Sequence, residues 1–124
     1  MNSSSISSDS DNLDFKKLLK IGRKFRIKGI DIFFNDNKNI KRFKLGVIVS
    51  KKVSNLAVVR NRQRRLIKEI VRLDFTDLYN KEFLFLVKKD ILDLDFNRIR
   101  KELSKVRKYM FNEKIDSVFV DNAN

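Results

Sequence analysis

The chain has 124 residues, 42% of them hydrophobic, and carries 29 Lys and Arg against 16 Asp and Glu, a formal charge of +13 with a pI near 10.2. That is enough for one domain with one modest core, and the charge points to nucleic acid or an anionic surface as partner rather than an acidic small molecule. Cys and His are both absent, which excludes disulfides, zinc knuckles, thiol nucleophiles and imidazole bases.

Residues 1–11 are mainly Ser, Asn and Asp and read as a disordered tail. They lack the basic start and apolar centre of a signal peptide, and no apolar run is long enough to span a membrane, so a cytoplasmic protein is expected. The folded domain is expected over 12–111, with 112–124 as a second tail containing a brief extended piece at 118–120.

Leu13 to Ile21 reads as a short helix, capped by Asn12 or Asp11 and ended by Gly22 as a C′ glycine, with Phe15, Leu18 and Leu19 on one face. Phe25 and Ile27 then alternate with charged residues as a strand does. At Gly29 the apolar phase shifts to Ile30, Ile32 and Phe34, which implies a bend or a new strand. Phe33 faces the other way, alongside Asp31. Two accounts fit an aromatic there: cover by the N-terminal helix, or a platform on which an unpaired base stacks.

Asn35 to Arg42 has the composition of a hairpin loop, and Phe43 to Val53 follows as a strand with Leu45, Val47 and Val49 on one face and Gly46, Ile48 and Ser50 on the other. Val58 to Arg72 is an amphipathic helix. Arg60, Arg64, Lys68 and Arg72 form a ridge at i, i+4, i+8 and i+12, with Asn61 and Arg65 beside it and Leu66, Ile67, Ile70 and Val71 opposite. Between Lys41 and Arg72 eleven Lys and Arg face Glu69 alone. A merely solvated helix mixes its signs to gain i, i+4 pairs, so this one-sidedness favours a polyanion partner. Glu82 to Lys88 is a near-continuous apolar run, suited to a strand buried on both faces and reached by a strand–helix–strand crossover. Asp95 is placed to cap a last helix over 96–111, on which Phe96, Ile99, Leu103, Val106 and Met110 make the inner stripe, with Leu94 and Ile99 as a hydrophobic staple.

The acids are scattered through connectors and caps, not clustered to hold divalent ions, and three glycines at 22, 29 and 46 fit no phosphate loop. Composition and pattern thus describe a small α+β nucleic-acid binder with no evident catalytic or metal-binding residues. The possible aromatic groove on a sheet prefers RNA over DNA.

The segment Leu45 to Leu66, LGVIVSKKVSNLAVVRNRQRRL, closely resembles the bacterial ribonuclease P protein component: Ser50-Lys51-Lys52 at a strand end, then Ala57-Val58, then Arg60-Asn61-Arg62 and the pair Arg64-Arg65. Asp14, Phe15 and Gly22 resemble the family's first helix and its end. The resemblance implies a two-layer α/β sandwich with a four-stranded sheet, order αβββαβα, and a left-handed βαβ crossover against the usual rule. It implies a protein subunit that assists a catalytic RNA, with bound Mg2+ held mainly by that RNA, in endonucleolytic removal of the 5′ leader from precursor tRNA. Lys51, Lys52, Arg60, Asn61, Arg62, Arg64, Arg65 and Lys68 would meet the catalytic RNA, and Phe15, Leu19 and Phe33 would line the cleft for the single-stranded leader. Ser54-Asn55 stands where many members have Gly-Asn, Leu56 lengthens the connector, Leu19 replaces a frequent aromatic, and Ile48 is larger than the usual small polar residue. The alternative is a structural RNA-binding protein of ribosomal type, without a processing role.

Overall fold

The computed structural model describes residues 14–119, with side chains through Met110. The expected tail over 1–11 and the candidate caps Asp11 and Asn12 lie outside the described residues, as does 120–124. The elements are α1 (Phe15–Ile21), β1 (Arg23–Ile27), β2 (Ile30–Asp36), β3 (Phe43–Ile48), α2 (Ala57–Asp74), β4 (Lys81–Val87), a 3-10 turn (Lys89–Asp93) and α3 (Phe96–Phe119). This is an α+β fold of the order αβββαβα, built on a four-stranded mixed sheet.

The sheet order is β1-β2-β4-β3, so β4 lies between its antiparallel neighbour β2 and its parallel neighbour β3. Phe83, Leu84 and Phe85 in this strand are all fully buried. An apolar run on both faces of a strand needs paired edges and cover above and below. The central position, reached through α2, supplies all of these. It also overturns the hairpin reading of Asn35 to Arg42: β2 and β3 are not paired, because β4 enters between them. The β2–β3 loop instead passes the start of β4 and is stitched to it by Asn80, whose N–H donates to Arg42 O (2.7 Å) and whose carbonyl accepts from Asn37 N–H (2.8 Å). The Asn80 side chain donates to Ile40 O. Asn80 sits at φ 59°, a left-handed conformation that Asn tolerates better than other side-chain-bearing residues.

One sheet face carries the main core. Ile30, Ile32 and Phe34 of β2, Leu45 and Val47 of β3, and Phe83, Phe85 and Val87 of β4 pack against Ile67, Ile70 and Val71 of α2 and Ile99, Leu103, Val106 and Met110 of α3. Edge-to-face rings fill its centre, Phe75 to Phe83 at 5.9 Å and Phe83 to Phe85 at 6.0 Å. Two fork-to-fork ion pairs fasten α3 to the end of α2 and the following loop: Arg100 donates to Asp74 (2.7 and 2.8 Å) and Arg107 to Asp77 (2.6 and 3.1 Å). Glu102, buried in α3, accepts from the Lys28 N–H in the β1–β2 turn and from Lys105 and Arg98. Burial raises its pKa, but these three bonds outweigh it and hold the carboxyl below its ordinary range. That turn uses Gly29 at φ +87°, where a Cβ would also meet Ile91.

The helix ends differ in part from expectation. Asp95 caps α3 as the sequence predicts, accepting from Arg98 N–H at 2.8 Å. Leu94 packs on the core near buried Ile99, whereas Phe96 stands 38% exposed. The helix also runs on to Phe119 instead of ending near 111, so Val118 is helical and not extended. Phe111, Ile115 and Val118 are themselves spaced by 4 and 3 residues, a helical period, although one residue out of step with the stripe that ends at Met110. In α1 the cap is Asp14, which accepts from Lys17 N–H at 3.0 Å. Gly22 is in extended backbone at φ −69°, not in the left-handed conformation of a C′ glycine. It is required by space: a Cβ there would stand 2.5 Å from Leu18 O.

Gly22→Ala therefore forces α1 away from its seat. We expect a loss of about 1–3 kcal/mol in urea unfolding, the usual cost of overpacking, with the α2–α3 core unaffected. An unchanged midpoint would mean that the helix end yields freely.

Candidate RNA interface

No Asp or Glu occurs between Asp36 and Glu69, and the fold gathers this acid-free stretch into the end of β3, a turn and the first half of α2. The strand expected to reach Val53 stops at Ile48. Ser50 ends it locally: its Oγ accepts from Lys52 N–H (3.2 Å) and its carbonyl from Val53 N–H (3.0 Å). Val49 and Val53 are buried on either side of the turn, so Lys51 and Lys52 project from an anchored tip.

Helix α2 starts at Ala57 without a side-chain cap. Its entry is held by Ser54 Oγ, which accepts from Leu56 N–H, and by Arg60, whose Nη1 donates to Ser54 O and Asn55 O at 3.0 Å each. Arg60 is thus partly committed to its own backbone. Four residues advance an α-helix by about 40° beyond a full turn. The Arg60–Arg64–Lys68–Arg72 ridge therefore winds from the half-buried flank of the helix to its solvent side. Arg64 Nη2 donates to Asn61 Oδ1 at 2.5 Å, and Arg72 forms a two-bond pair with Glu69. Lys68 is held below the ordinary lysine range by burial and by the charge of Arg64.

The sites predicted to meet RNA thus fall into two groups. Lys51, Lys52, Arg62 and Arg65 are exposed and make no ion pair among the described residues. Arg60, Asn61, Arg64 and Lys68 stand beside them, partly engaged within the helix. On α3, by contrast, Arg100 and Arg107 each pair with an acid and Arg98 and Lys105 share Glu102, although Lys101 and Lys108 make no ion pair among the described residues. Density of Lys and Arg along the chain does not reveal this contrast, because it depends on which acids fold next to which cations.

The second sheet face carries the other candidate site. Alternation and register place Lys24, Phe33, Leu84 and Gly46 in one row across the four strands. α1 sits on this row, burying Leu18 against Leu84, with Phe15, Phe33 and Ile48 partly buried around them. Phe15 and Phe33, two of the three expected cleft residues, therefore share one apolar cluster. Leu19 is 46% exposed and outside it. The face of α1 that points to the sheet is centred on Leu18, which turns Leu19 outward. Covering by α1 is what makes Phe33 half-buried, yet its ring retains exposed surface. Leu84 was not anticipated as a lining residue, because a continuous apolar run does not reveal which residue faces which side. The Lys24 ammonium lies 5.3 Å from the Phe33 ring centroid.

A family model described as Ribonuclease P matches residues 10–110. The ribonuclease P protein component of Macrococcus caseolyticus is 33% identical over 106 residues, which is 84% of this chain and 91% of the relative. That of Staphylococcus epidermidis is 31% identical over the same shares. The solved structure of the Staphylococcus aureus RNase P protein superposes with a TM-score of 0.71 at 28% identity, covering 80% of this chain and 90% of that one. The RNase P protein from Thermotoga maritima shares the fold, with a TM-score of 0.69 at 23% identity over 77% and 90% of the two chains. With the basic strand-end, connector and helix in place on that fold, the chain belongs to the ribonuclease P protein family.

Proposed function

We propose that this protein is the subunit that assists a ribonuclease P catalytic RNA in removing the 5′ leader from precursor tRNA, by binding both the RNA and the single-stranded leader. The observation that carries the reading is the patch of Lys51, Lys52, Arg62 and Arg65, exposed and without an ion pair among the described residues, in a stretch between Asp36 and Glu69 that holds no acid. Leaving guanidinium groups unpaired beside one another costs repulsion, which phosphate oxygens relieve. A phosphate nearby would favour the charged form of Lys68, which burial and Arg64 disfavour.

The cleft between α1 and the sheet suits the leader. Phe15 and Phe33 offer aromatic surface to an unstacked base, and a mature tRNA has no such segment to place there. This gives the protein a means of preferring precursor to product. Hydrolysis is assigned to the RNA, together with its Mg2+. Among the described residues no three carboxylate, His or Cys side chains converge to hold an ion. The setting is cytoplasmic in this reading, with no role for DNA or a membrane. No described helix is long and apolar enough to cross one.

The decisive assay is cleavage of a 5′-extended precursor tRNA at low magnesium with the protein alone, a bacterial ribonuclease P RNA alone, and both. We expect cleavage only, or far faster, with both. Tight RNA binding without stimulation would favour a ribosomal-type RNA-binding role. Arg62→Ala and Arg65→Ala should each lower the slope of log affinity for the catalytic RNA against log salt by roughly 0.7–0.9, with unchanged thermal stability. Arg60→Ala should in addition destabilise the entry to α2, visible as a lower melting temperature. Phe33→Ala should weaken precursor binding by about 1–3 kcal/mol and leave mature tRNA unaffected; equal losses on both would assign the ring to the fold alone.

A further inference from the structure

Asp31 is the one acid in the row of β2 side chains that shares a sheet face with Phe33, and it is only 6% exposed. A carboxylate in that position would be costly without partners. It has three: Arg26 Nε at 3.0 Å, Lys88 Nζ at 3.6 Å and Lys24 Nζ at 3.7 Å. One acid needs one cation, so the cluster carries two positive charges beyond neutrality. The cations are not consumed by the pairing either. Their side chains remain 65%, 47% and 42% exposed for Arg26, Lys88 and Lys24, and each has further N–H groups to offer. Lys24 also approaches the Phe33 ring, so the charge cluster and the aromatic surface are contiguous. Asp31 and Phe33 are two residues apart on one strand, about 7 Å, the scale of a single nucleotide.

We propose that Asp31 is a positioning residue that gathers Lys24 and Arg26, with Lys88, into a receptor for a backbone phosphate of the single strand whose base lies on Phe33. The proposal rests on the leader-binding reading above and adds the residues that hold the strand's backbone. An acid inside an RNA-binding face looks counterproductive, since it repels phosphate. Here it stops three mobile side chains from dispersing and fixes where their free N–H groups point. The ordering entropy is then met on folding and not on binding.

The test uses the reconstituted ribonucleoprotein, with binding of a precursor tRNA bearing a 5′ leader compared with binding of the same tRNA without one. Arg26→Gln and Lys24→Met remove exposed groups and should keep the fold. Each should weaken precursor binding roughly three- to ten-fold, lower its salt slope by about 0.7, and leave the leaderless tRNA unchanged. Asp31→Asn removes a negative charge, so simple electrostatics predicts tighter RNA binding. A positioning role predicts weaker binding of the precursor alone, and no further loss when the change is made in the Arg26→Gln, Lys24→Met, Lys88→Met background. Tighter or unchanged precursor binding by a folded Asp31→Asn protein would overturn the positioning role. Unchanged precursor binding by Arg26→Gln and Lys24→Met, with Phe33→Ala still impaired, would overturn the phosphate receptor and leave the leader reading standing. No leader-dependent loss in any of these variants, Phe33→Ala included, would remove both.

Discussion

A strand that is apolar on both faces constrains this molecule more than any other feature. Phe83 and Phe85 point to one side of β4 and Leu84 to the other, and all three are fully buried. Such a strand has no stable place at an edge or on a half-covered sheet. It takes the centre, between β2 and β3, and it demands cover on both faces. The large cover, α2 and α3, makes the main core. The small cover is α1, a helix of seven residues, too short to cover a four-stranded sheet. The cleft candidate follows directly: Phe33 and Ile48 are the parts of that second face that α1, with its own Phe15, reaches but does not seal.

The distribution of acids gives the second constraint. Six of the described acids are used where elements must be joined or capped. Asp74 and Asp77 bind α3, Glu102 holds the β1–β2 turn, Asp36 pairs Arg23 and Lys81, and Asp14 and Asp95 cap helices. At Asp36 burial raises the pKa, but Lys81 and Arg23 more than offset it and keep the carboxyl ionised below its ordinary range. None of this acid reaches the tip at Lys51–Lys52 or the first half of α2. Stability and binding thus draw on the same pool of charge in different places. The positive field is strong where nothing in the fold needs it, which is what a polyanion interface requires.

Within the basic helix the arginines are not equivalent, and backbone geometry explains why. Arg60 closes the connector by donating to the Ser54 and Asn55 carbonyls, which fixes the approach to a helix start that has no side-chain cap at Leu56. Arg62 and Arg65 are free of such duties. Leu56, the last residue of the connector before α2, stands 61% exposed.

Much of this was legible in the sequence because it depends on local rules. The Asp95 cap, the buried Ile67–Ile70–Val71 stripe, the strand phase shift at Gly29 and the doubly buried run at 82–88 each follow from periodicity and residue type over a few positions, and the motif around Lys51 to Arg65 marked the family. What the sequence could not decide was pairing. That β4 separates β2 from β3, that Leu18 and not Leu19 meets Leu84, that Arg100 and Arg107 find acids while Arg62 and Arg65 do not, and that Lys24, Arg26 and Lys88 converge on Asp31 are all relations between residues far apart in the chain or across strands. Such relations are set by which arrangement buries the most apolar surface with its polar groups satisfied, an energy of the whole packed chain and not of any one segment.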